Sequence, residues 1–268
     1  MHDQLIAIIL GIVEGLTEFV PVSSTGHLIV AGHLLGFTGD RADTFEVFIQ
    51  LGAILAVTLI FRERIMSILR FGPGEGAQGK SGFILVAITT IPGLIAGALL
   101  NSPIKDHLFS PGTVAVGWAI GGILIILVER NLPPVRKGGL DKIRWRDALI
   151  IGICQCAALW PGVSRSASTM SAGMLLGIDR KTAAEYSFLA ALPLIAAASF
   201  FDLVSNRNAI HASDIPMFAT GFIVSFIVGW FAVRYFLRLL STWTLVPFGW
   251  YRIAATVVLV FLIAINQV

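Results

Sequence analysis

The sequence predicts an all-α polytopic membrane protein with two inverted-topology repeats, each a re-entrant helical hairpin followed by three transmembrane helices. Three observations support this. First, 56% of the 268 residues are hydrophobic and only 13% are charged, whereas a soluble domain has about 25% charged residues. Second, six apolar stretches are long enough to cross a bilayer. Third, the chain resembles itself when it is shifted by 141 residues.

The internal repeat is clearest between residues 7–36 and 148–177. Without a gap, these segments share 11 identities in 30 positions, where about 2–3 are expected by chance from composition. Both are apolar and both are interrupted by a polar tip. Because such repeats are typical of duplicated membrane proteins, we divide the single membrane domain 1–268 into repeat one, 1–130, and repeat two, 147–268.

Repeat one begins with two apolar segments that are too short to be spans, about 16 and 13 residues long. A span needs about 20 apolar residues, and runs of 10–14 favour re-entrant segments. We therefore predict a hairpin at 5–36 that enters and leaves the membrane on one side. Three full spans follow at about 44–61, 83–101 and 113–129.

Repeat two has the same order of elements. Its hairpin is predicted at 148–178, and its spans at about 183–203, 216–236 and 249–266. Because an odd number of spans inverts the second copy, the two hairpin tips are expected to meet inside the bilayer. Irregular backbone at that depth is tolerated only where it lines a cavity.

Basic residues predict the orientation, because cytoplasmic loops carry an excess of Lys and Arg. Loops 62–82, 130–147 and 234–248 hold most of them. Assigning these loops to the cytoplasm puts 15 basic residues inside, including Arg252, against three outside, and leaves Arg165 as the one within the membrane. Both termini are then outside. The three outer residues are Arg41, Lys105 and Arg207.

Composition also argues against several other kinds of partner, site and segment. The net charge of +3 does not indicate a nucleic-acid partner, because the basic residues belong to membrane-facing loops. Cys154 and Cys156 lie in an apolar segment without a second pair, so neither a zinc site nor a disulfide is expected. Asp3 and the glutamates of the first hairpin argue against a cleaved signal peptide.

The first hairpin contains two glutamates within EGLTEFVPVSSTGH, which runs from Glu14 to His27. Ionisable side chains in a membrane are costly and indicate a functional site by default. The i, i+4 spacing of Glu14 and Glu18 puts both carboxylates on one helical face. They are protonated packing residues, proton carriers in a transporter, or catalytic groups. As catalytic groups, one is a general base or both hold a divalent cation, Mg²⁺ or Ca²⁺.

The tip of this hairpin combines hydroxyl groups with a helix start. The first helix should end near Pro21, because the residue before a proline avoids the α conformation. The N–H groups and positive dipole end of the next helix favour an anion such as phosphate. Ser23 or Ser24 can cap that helix. Ser24 is either only such a cap or a nucleophile with His27 as its base or acid. Candidate substrate contacts at this tip are Ser23, Thr25 and Gly26.

The second hairpin contains PGVSRSAST, residues 161–169, with Arg165 far from any predicted water boundary. Arg165 either clamps an anion or forms a structural salt bridge. A guanidinium suits phosphate oxygens, and hydroxyls beside a helix N-terminus would assist it. The hydroxyl candidates are Ser164, Ser166 and Thr169. The salt-bridge candidates are Glu14, Glu18 and Glu185.

Together with TFEVFIQLGAILAV at residues 44–57, these motifs resemble the undecaprenyl-diphosphate phosphatase family of bacteria, the bacitracin-resistance type. The resemblance covers essentially the whole chain. It implies hydrolysis of undecaprenyl diphosphate to undecaprenyl phosphate and inorganic phosphate at the outer face of the bacterial cytoplasmic membrane. That reaction recycles the lipid carrier for peptidoglycan and other envelope polymers and confers bacitracin resistance. The implied partners are the polyprenyl diphosphate substrate and membrane lipid. The sequence leaves a homodimer open as the assembly.

The resemblance also assigns roles to single residues. The glutamates of the family's first motif fall on Glu14 and Glu18, and its serine falls on Ser24. Its histidine falls on His27, and its arginine on Arg165. The chain departs from the family pattern in two places. Ala167 stands where Gly is usual, which bears on how closely phosphate approaches the backbone, and Val20 replaces a common Leu, which should be neutral.

The mechanism that follows is phosphoryl transfer by positioning and charge neutralisation. Arg165 and backbone N–H groups would bind the diphosphate. Ser24 would attack the terminal phosphorus or orient a water, while His27 or Glu18 moves the proton. The alternative is a proton-coupled transporter or lipid flippase, which inverted repeats and membrane carboxylates also suit. A nucleophile opposite an arginine clamp favours the hydrolase.

Overall fold

The computed structural model describes residues 2–206 and 211–268, and this part of the chain is helical without a β-strand. Six of its helices are long and apolar enough to cross a membrane, so the prediction of an all-α polytopic protein with six full spans is confirmed. Arg207 and the side chain of Lys105 lie outside the described part. The helices are α1 His2–Thr17, α2 Ser24–Leu34, α3 Asp40–Ile60, α4 Arg62–Leu69, α5 Gly79–Leu108, α6 Pro111–Arg130, α7 Trp145–Gln155, α8 Arg165–Leu175, α9 Arg180–Ser205, α10 Ile215–Leu239 and α11 Val246–Ala264.

Two pairs of short helices occupy the places of the expected hairpins. Helices α2, α7 and α8 have 11 residues each and α1 has 16, fewer than the about 20 that cross a bilayer. Helices α2 and α8 begin and end at positions 141 residues apart. Two residues after the end of each lies a glycine with positive φ, Gly36 at 65° and Gly177 at 77°, where a side chain would be strained.

Glycines let the first helix of each pair pack closely against a long helix. Helix α1 packs against α10, and α7 packs against α5. A Cβ atom on Gly11 of α1 would lie 2.8 Å from the carbonyl oxygen of Gly221, and one on Gly152 of α7 would lie 2.7 Å from that of Thr89. Small residues at helix crossings are typical of membrane proteins. Gly11 and Gly152 also coincide under the 141-residue shift.

The outer surface of the helical assembly is apolar. Large side chains such as Leu99, Phe200 and Phe231 are 75%, 70% and 69% exposed. In a soluble protein such a surface would cause association, but the hydrocarbon of a bilayer solvates it. Several buried polar side chains lie where α2 and α8 begin, among them Ser23, Ser24, Ser164 and Ser166. These helix starts form the candidate site.

Candidate active site

Matching serines cap the two short helices. Ser23 and Ser164 have φ of 74° and 76°, a conformation that costs a non-glycine residue about 1–3 kcal/mol and clusters at functional sites. The Ser23 hydroxyl accepts from the N–H of Gly26 at 3.4 Å, and the Ser164 hydroxyl accepts from that of Ala167 at 3.2 Å. Of the two serines predicted as caps of α2, the structure selects Ser23, and Ser24 is the first residue of the helix.

An ion pair joins the two tips. The Nη2 group of Arg165 donates to Oε1 of Glu18 at 3.0 Å, and both side chains are about nine-tenths buried. Of the three salt-bridge candidates, the structure brings Glu18 to Arg165. Glu18 lies one turn beyond Glu14, because its N–H donates to the Glu14 carbonyl at 3.0 Å. The guanidinium therefore contacts the second glutamate of the pair.

Three further contacts fix the guanidinium of Arg165. Its Nη1 group donates to the carbonyl and hydroxyl oxygens of Ser187 in α9, at 3.1 and 3.2 Å. Its Cζ atom lies 5.4 Å from the ring centroid of Phe19. Nε is buried without a hydrogen-bond partner. Arg165 is thus held in place even if its pair with Glu18 opens, and it retains a free donor.

Ser24 is the first residue of α2, and its hydroxyl donates to Oε2 of Glu18. A hydroxyl bonded to a carboxylate is the arrangement of a nucleophile and its base. His27 does not take that position. Its Nδ1 lies 2.7 Å from the carbonyl oxygen of Ser23, and its Nε2 lies 2.7 Å from the hydroxyl of Tyr251. The structure thus joins Ser24 to Glu18 and not to His27, contrary to the pairing suggested by sequence spacing.

Aromatic side chains enclose His27. Its ring stacks on that of Tyr251 with centroids 5.7 Å apart, and the Trp118 ring lies 4.7 Å away. Gly26 allows this approach, since a Cβ atom there would meet the Trp118 indole nitrogen at 2.7 Å. Gly26 is therefore a packing position, whereas its neighbour Thr25 is half-buried.

The hydroxyl groups of the second tip bind the protein scaffold. Ser166 donates to the carbonyl of Val20 in the first hairpin at 3.0 Å and lies 3.1 Å from the Ser164 hydroxyl. The Thr169 hydroxyl lies 2.6 Å from that of Ser187, which also contacts Arg165. These buried groups hold the two tips together and position the arginine.

Glu14 is completely buried, and neither of its carboxylate oxygens has a hydrogen-bond partner. Such a group is costly unless a proton or a cation compensates it. No three His, Cys, Asp or Glu residues in the described part of the chain are grouped to hold a metal ion. Mg²⁺, however, commonly uses one or two carboxylates with substrate phosphates. The two unpartnered oxygens of Glu14 suit such a cation, whereas both oxygens of Glu18 already accept hydrogen bonds.

Arg252 was missed by the sequence analysis, which placed it among cytoplasmic basic residues; that assignment was wrong. The side chain is fully buried. It donates to the carbonyls of Gly162 at 2.6 Å, Gly117 at 2.8 Å, Val163 at 2.9 Å and Pro21 at 3.5 Å. An arginine inside the apolar sequence of the last span was the available signal, but its position near the expected end of that span hid its burial.

Comparison with known proteins agrees with the family resemblance of the sequence motifs. The family described as "bacitracin resistance protein BacA" matches residues 7–258 of the chain. The chain is 51% identical over 254 residues to the undecaprenyl-diphosphatase of Nitratidesulfovibrio vulgaris strain Hildenborough, covering 95% of this chain and 96% of the relative. It is 50% identical over 261 residues to that of Maridesulfovibrio salexigens, covering 97% and 99%. Undecaprenyl-diphosphatase 1 of Bacillus cereus is 49% identical over 253 residues, covering 94% and 96%.

Proposed function

The chain belongs to the bacitracin resistance protein BacA family, and from this we propose that it is an undecaprenyl-diphosphatase. It hydrolyses undecaprenyl diphosphate to undecaprenyl phosphate and inorganic phosphate. The observation that carries the proposal is the convergence of Ser24, Glu18 and Arg165 where the two hairpin tips meet. The diphosphatase names of the relatives favour this hydrolase over a transporter or flippase.

Arg165 and the free N–H groups at the starts of α2 and α8 bind the diphosphate. Both helix starts carry positive partial charge, and N–H groups there suit phosphate oxygens. The guanidinium adds donors in a planar arrangement that matches phosphate oxygens. The prenyl tail needs no polar contact, so it lies along the apolar outer surface beside the hairpins.

Ser24 attacks the terminal phosphorus while Glu18 accepts the hydroxyl proton. A serine oxygen–phosphorus bond forms, the bridging phosphorus–oxygen bond breaks, and undecaprenyl phosphate leaves with the bridging oxygen. Glu18 passes this proton to the bridging oxygen of the departing undecaprenyl phosphate. It then takes a proton from water, whose oxygen attacks the phosphoserine. The serine oxygen–phosphorus bond breaks, inorganic phosphate is released and the proton returns to the Ser24 oxygen. When a phosphate engages Arg165, Glu18 loses its ion-pair partner and is available as the base. In the alternative mechanism, Ser24 does not attack the phosphorus and only orients the attacking water.

Glu14 and Glu18 are the residues that would hold Mg²⁺ or Ca²⁺, together with phosphate oxygens of the substrate. A divalent cation neutralises charge on the phosphoryl group. The support is the pair of unpartnered oxygens on buried Glu14.

The protein is a multi-pass membrane protein. We place it in the bacterial cytoplasmic membrane, with the hairpin site open to the outer side and both termini outside. The basic loops support this orientation. The shared 141-residue spacing of α2 and α8 supports inverted repeats. A homodimer is the assembly we propose, and crosslinking in membranes tests it.

Phosphate release from undecaprenyl diphosphate by purified protein in detergent tests the function. We expect Ser24→Ala, Glu18→Gln and Arg165→Ala each to reduce kcat at least 100-fold, because each removes a group that acts on the transition state. EDTA should reduce the wild-type rate, and Mg²⁺ or Ca²⁺ should restore it.

Glu63→Gln and Arg136→Ala are the matched controls, since both side chains are exposed, and they should retain full activity. Absence of phosphate release from folded wild type under every metal condition would refute the hydrolase. Loss of activity in the controls alone would refute the proposed site.

A further inference from the structure

Two adjoining cavities open at the end of the molecule where α3 passes into α4. Their volumes are about 460 and 680 Å³. Both are lined by Ile60, Phe61 and Arg234, so they form one continuous recess, which we call the basic recess. None of its residues belongs to the site between the hairpins.

The basic recess has an excess of positive charge. Five cationic and two anionic side chains line it. Lys181 lies 3.9 Å from Glu185, and Arg64 bonds Asp141 at 2.6 Å. No ion pair is found for the other three cations within residues 2–206 and 211–268. These are Arg62, Arg234 and Arg238.

An apolar stripe runs along α10 beside these arginines. Ile223, Ile227, Phe231 and Tyr235 are spaced four residues apart and are 47–69% exposed, so they share one face of the helix. On the neighbouring face, Trp230 supports Arg234, whose Cζ lies 4.9 Å from the ring centroid. A charged recess thus adjoins a surface suited to hydrocarbon.

We propose that the basic recess binds the phosphate headgroup of an anionic membrane lipid, with the acyl chains along the α10 stripe. Three arginines without carboxylate partners attract a phosphate, and their guanidinium groups can donate in pairs to its oxygens. Basic pockets between membrane helices on the cytoplasmic side bind anionic headgroups, and the recess lies at the end predicted to face the cytoplasm. The exposed stripe favours a lipid over free phosphate, which would gain nothing from it.

Native mass spectrometry of detergent-solubilised protein titrated with phosphatidylglycerol tests the proposal. Wild type should bind this lipid at least fivefold more tightly than phosphatidylcholine with the same chains. The double variant Arg234→Gln, Arg238→Gln should lose this preference. The matched control Arg130→Gln, Arg136→Gln removes the same charge from exposed positions and should keep it.

Competition with inorganic phosphate separates the two sources of the anion. Failure of 10 mM phosphate to displace phosphatidylglycerol supports a lipid site, whereas full displacement overturns it in favour of a free-anion site. Equal loss in both double variants, or loss in neither, also overturns the proposal. Wild-type hydrolase activity of the recess variant shows that it is folded.

Discussion

Glu18 is shared between two partners at the hairpin tips. One carboxylate oxygen accepts from the Ser24 hydroxyl and the other accepts from Arg165. Because Ser187 also holds Arg165, an incoming phosphate can replace Glu18 on the guanidinium without displacing it. Both oxygens of the buried carboxylate thus have a partner until substrate takes the place of Glu18 on the arginine.

Arg252 holds the backbone of both tips with a single side chain. It donates to carbonyls of Pro21 in the first tip and of Gly162 and Val163 in the second. A planar guanidinium with five donors can satisfy several carbonyls at once, which an ammonium cannot do in the same geometry. Gly121 of α6 leaves the space, since a Cβ atom there would clash with this guanidinium.

Replacing Arg252 should therefore disrupt the site without touching any reacting group. Arg252→Met leaves buried carbonyls without donors, and we expect it to cost about 2–4 kcal/mol of stability and at least tenfold in kcat. Arg252→Lys should recover only part of both. Thermal unfolding in detergent and phosphate release measure the two effects.

Arg130→Met is the control, because that side chain is exposed and should be neutral. Unchanged stability and activity in Arg252→Met would contradict the role given to the four carbonyl contacts.

At the scale of elements, the helices that carry the site are aligned by glycine contacts. Helix α1, which carries Glu14, crosses α10 at Gly11 and Gly15, and α7, which precedes the second tip, crosses α5 at Gly152. Each crossing brings backbone against backbone, where dispersion replaces a hydrophobic driving force. These crossings thus set the position of each tip relative to the long helices.

Leucine at either crossing should force the helices apart. We expect Gly11→Leu and Gly152→Leu each to cost about 1–3 kcal/mol of stability, the usual range for overpacking. Both should lower kcat, because each moves one tip relative to the other. Unfolding in detergent and phosphate release measure these changes.

Gly112→Leu is the matched control, since nothing lies within 4 Å of a Cβ atom at that position. A loss of stability in the control equal to that at the crossings would show that the helix contacts are not the cause.

At the scale of the whole molecule, one helix of each hairpin packs on a long helix from the other half of the chain. The first hairpin packs on α10 from the second half, and the second hairpin packs on α5 from the first half. Helix α8 also packs on α9 of its own half. The site contains Glu18 from the first half and Arg165 from the second, so it forms only when both are present.

The orientation can be measured with single cysteines in a Cys154→Ala, Cys156→Ala background. We expect Gln267→Cys near the C-terminus to react with a membrane-impermeant thiol reagent in intact cells, because that terminus is predicted outside. Glu75→Cys in the loop after α4 should react only after permeabilisation. Both positions are exposed.

The opposite labelling pattern would invert the proposed orientation and place the hairpin site on the cytoplasmic side. Labelling of both positions in intact cells would contradict the prediction that the membrane separates them.

Much of the site was predictable because polar residues are rare in this chain and so stand out. Glu18, Ser24 and Arg165 were found as interruptions of apolar segments, and the structure brings all three together. The pairing of Ser24 with His27 was not found, since neighbours on a helix face compete with partners from other elements. Tyr251 engages His27 instead, and no local pattern signals that contact.

The sequence by itself determined the class of fold, the six spans and the family, because apolar length and rare polar motifs are properties of a linear chain. The tertiary structure decided which groups meet. Glu18 lies 147 positions from Arg165, and Arg252 lies 231 positions from Pro21. Only packing sets such contacts, since the energies that select them come from desolvating and satisfying polar groups that are far apart in the chain.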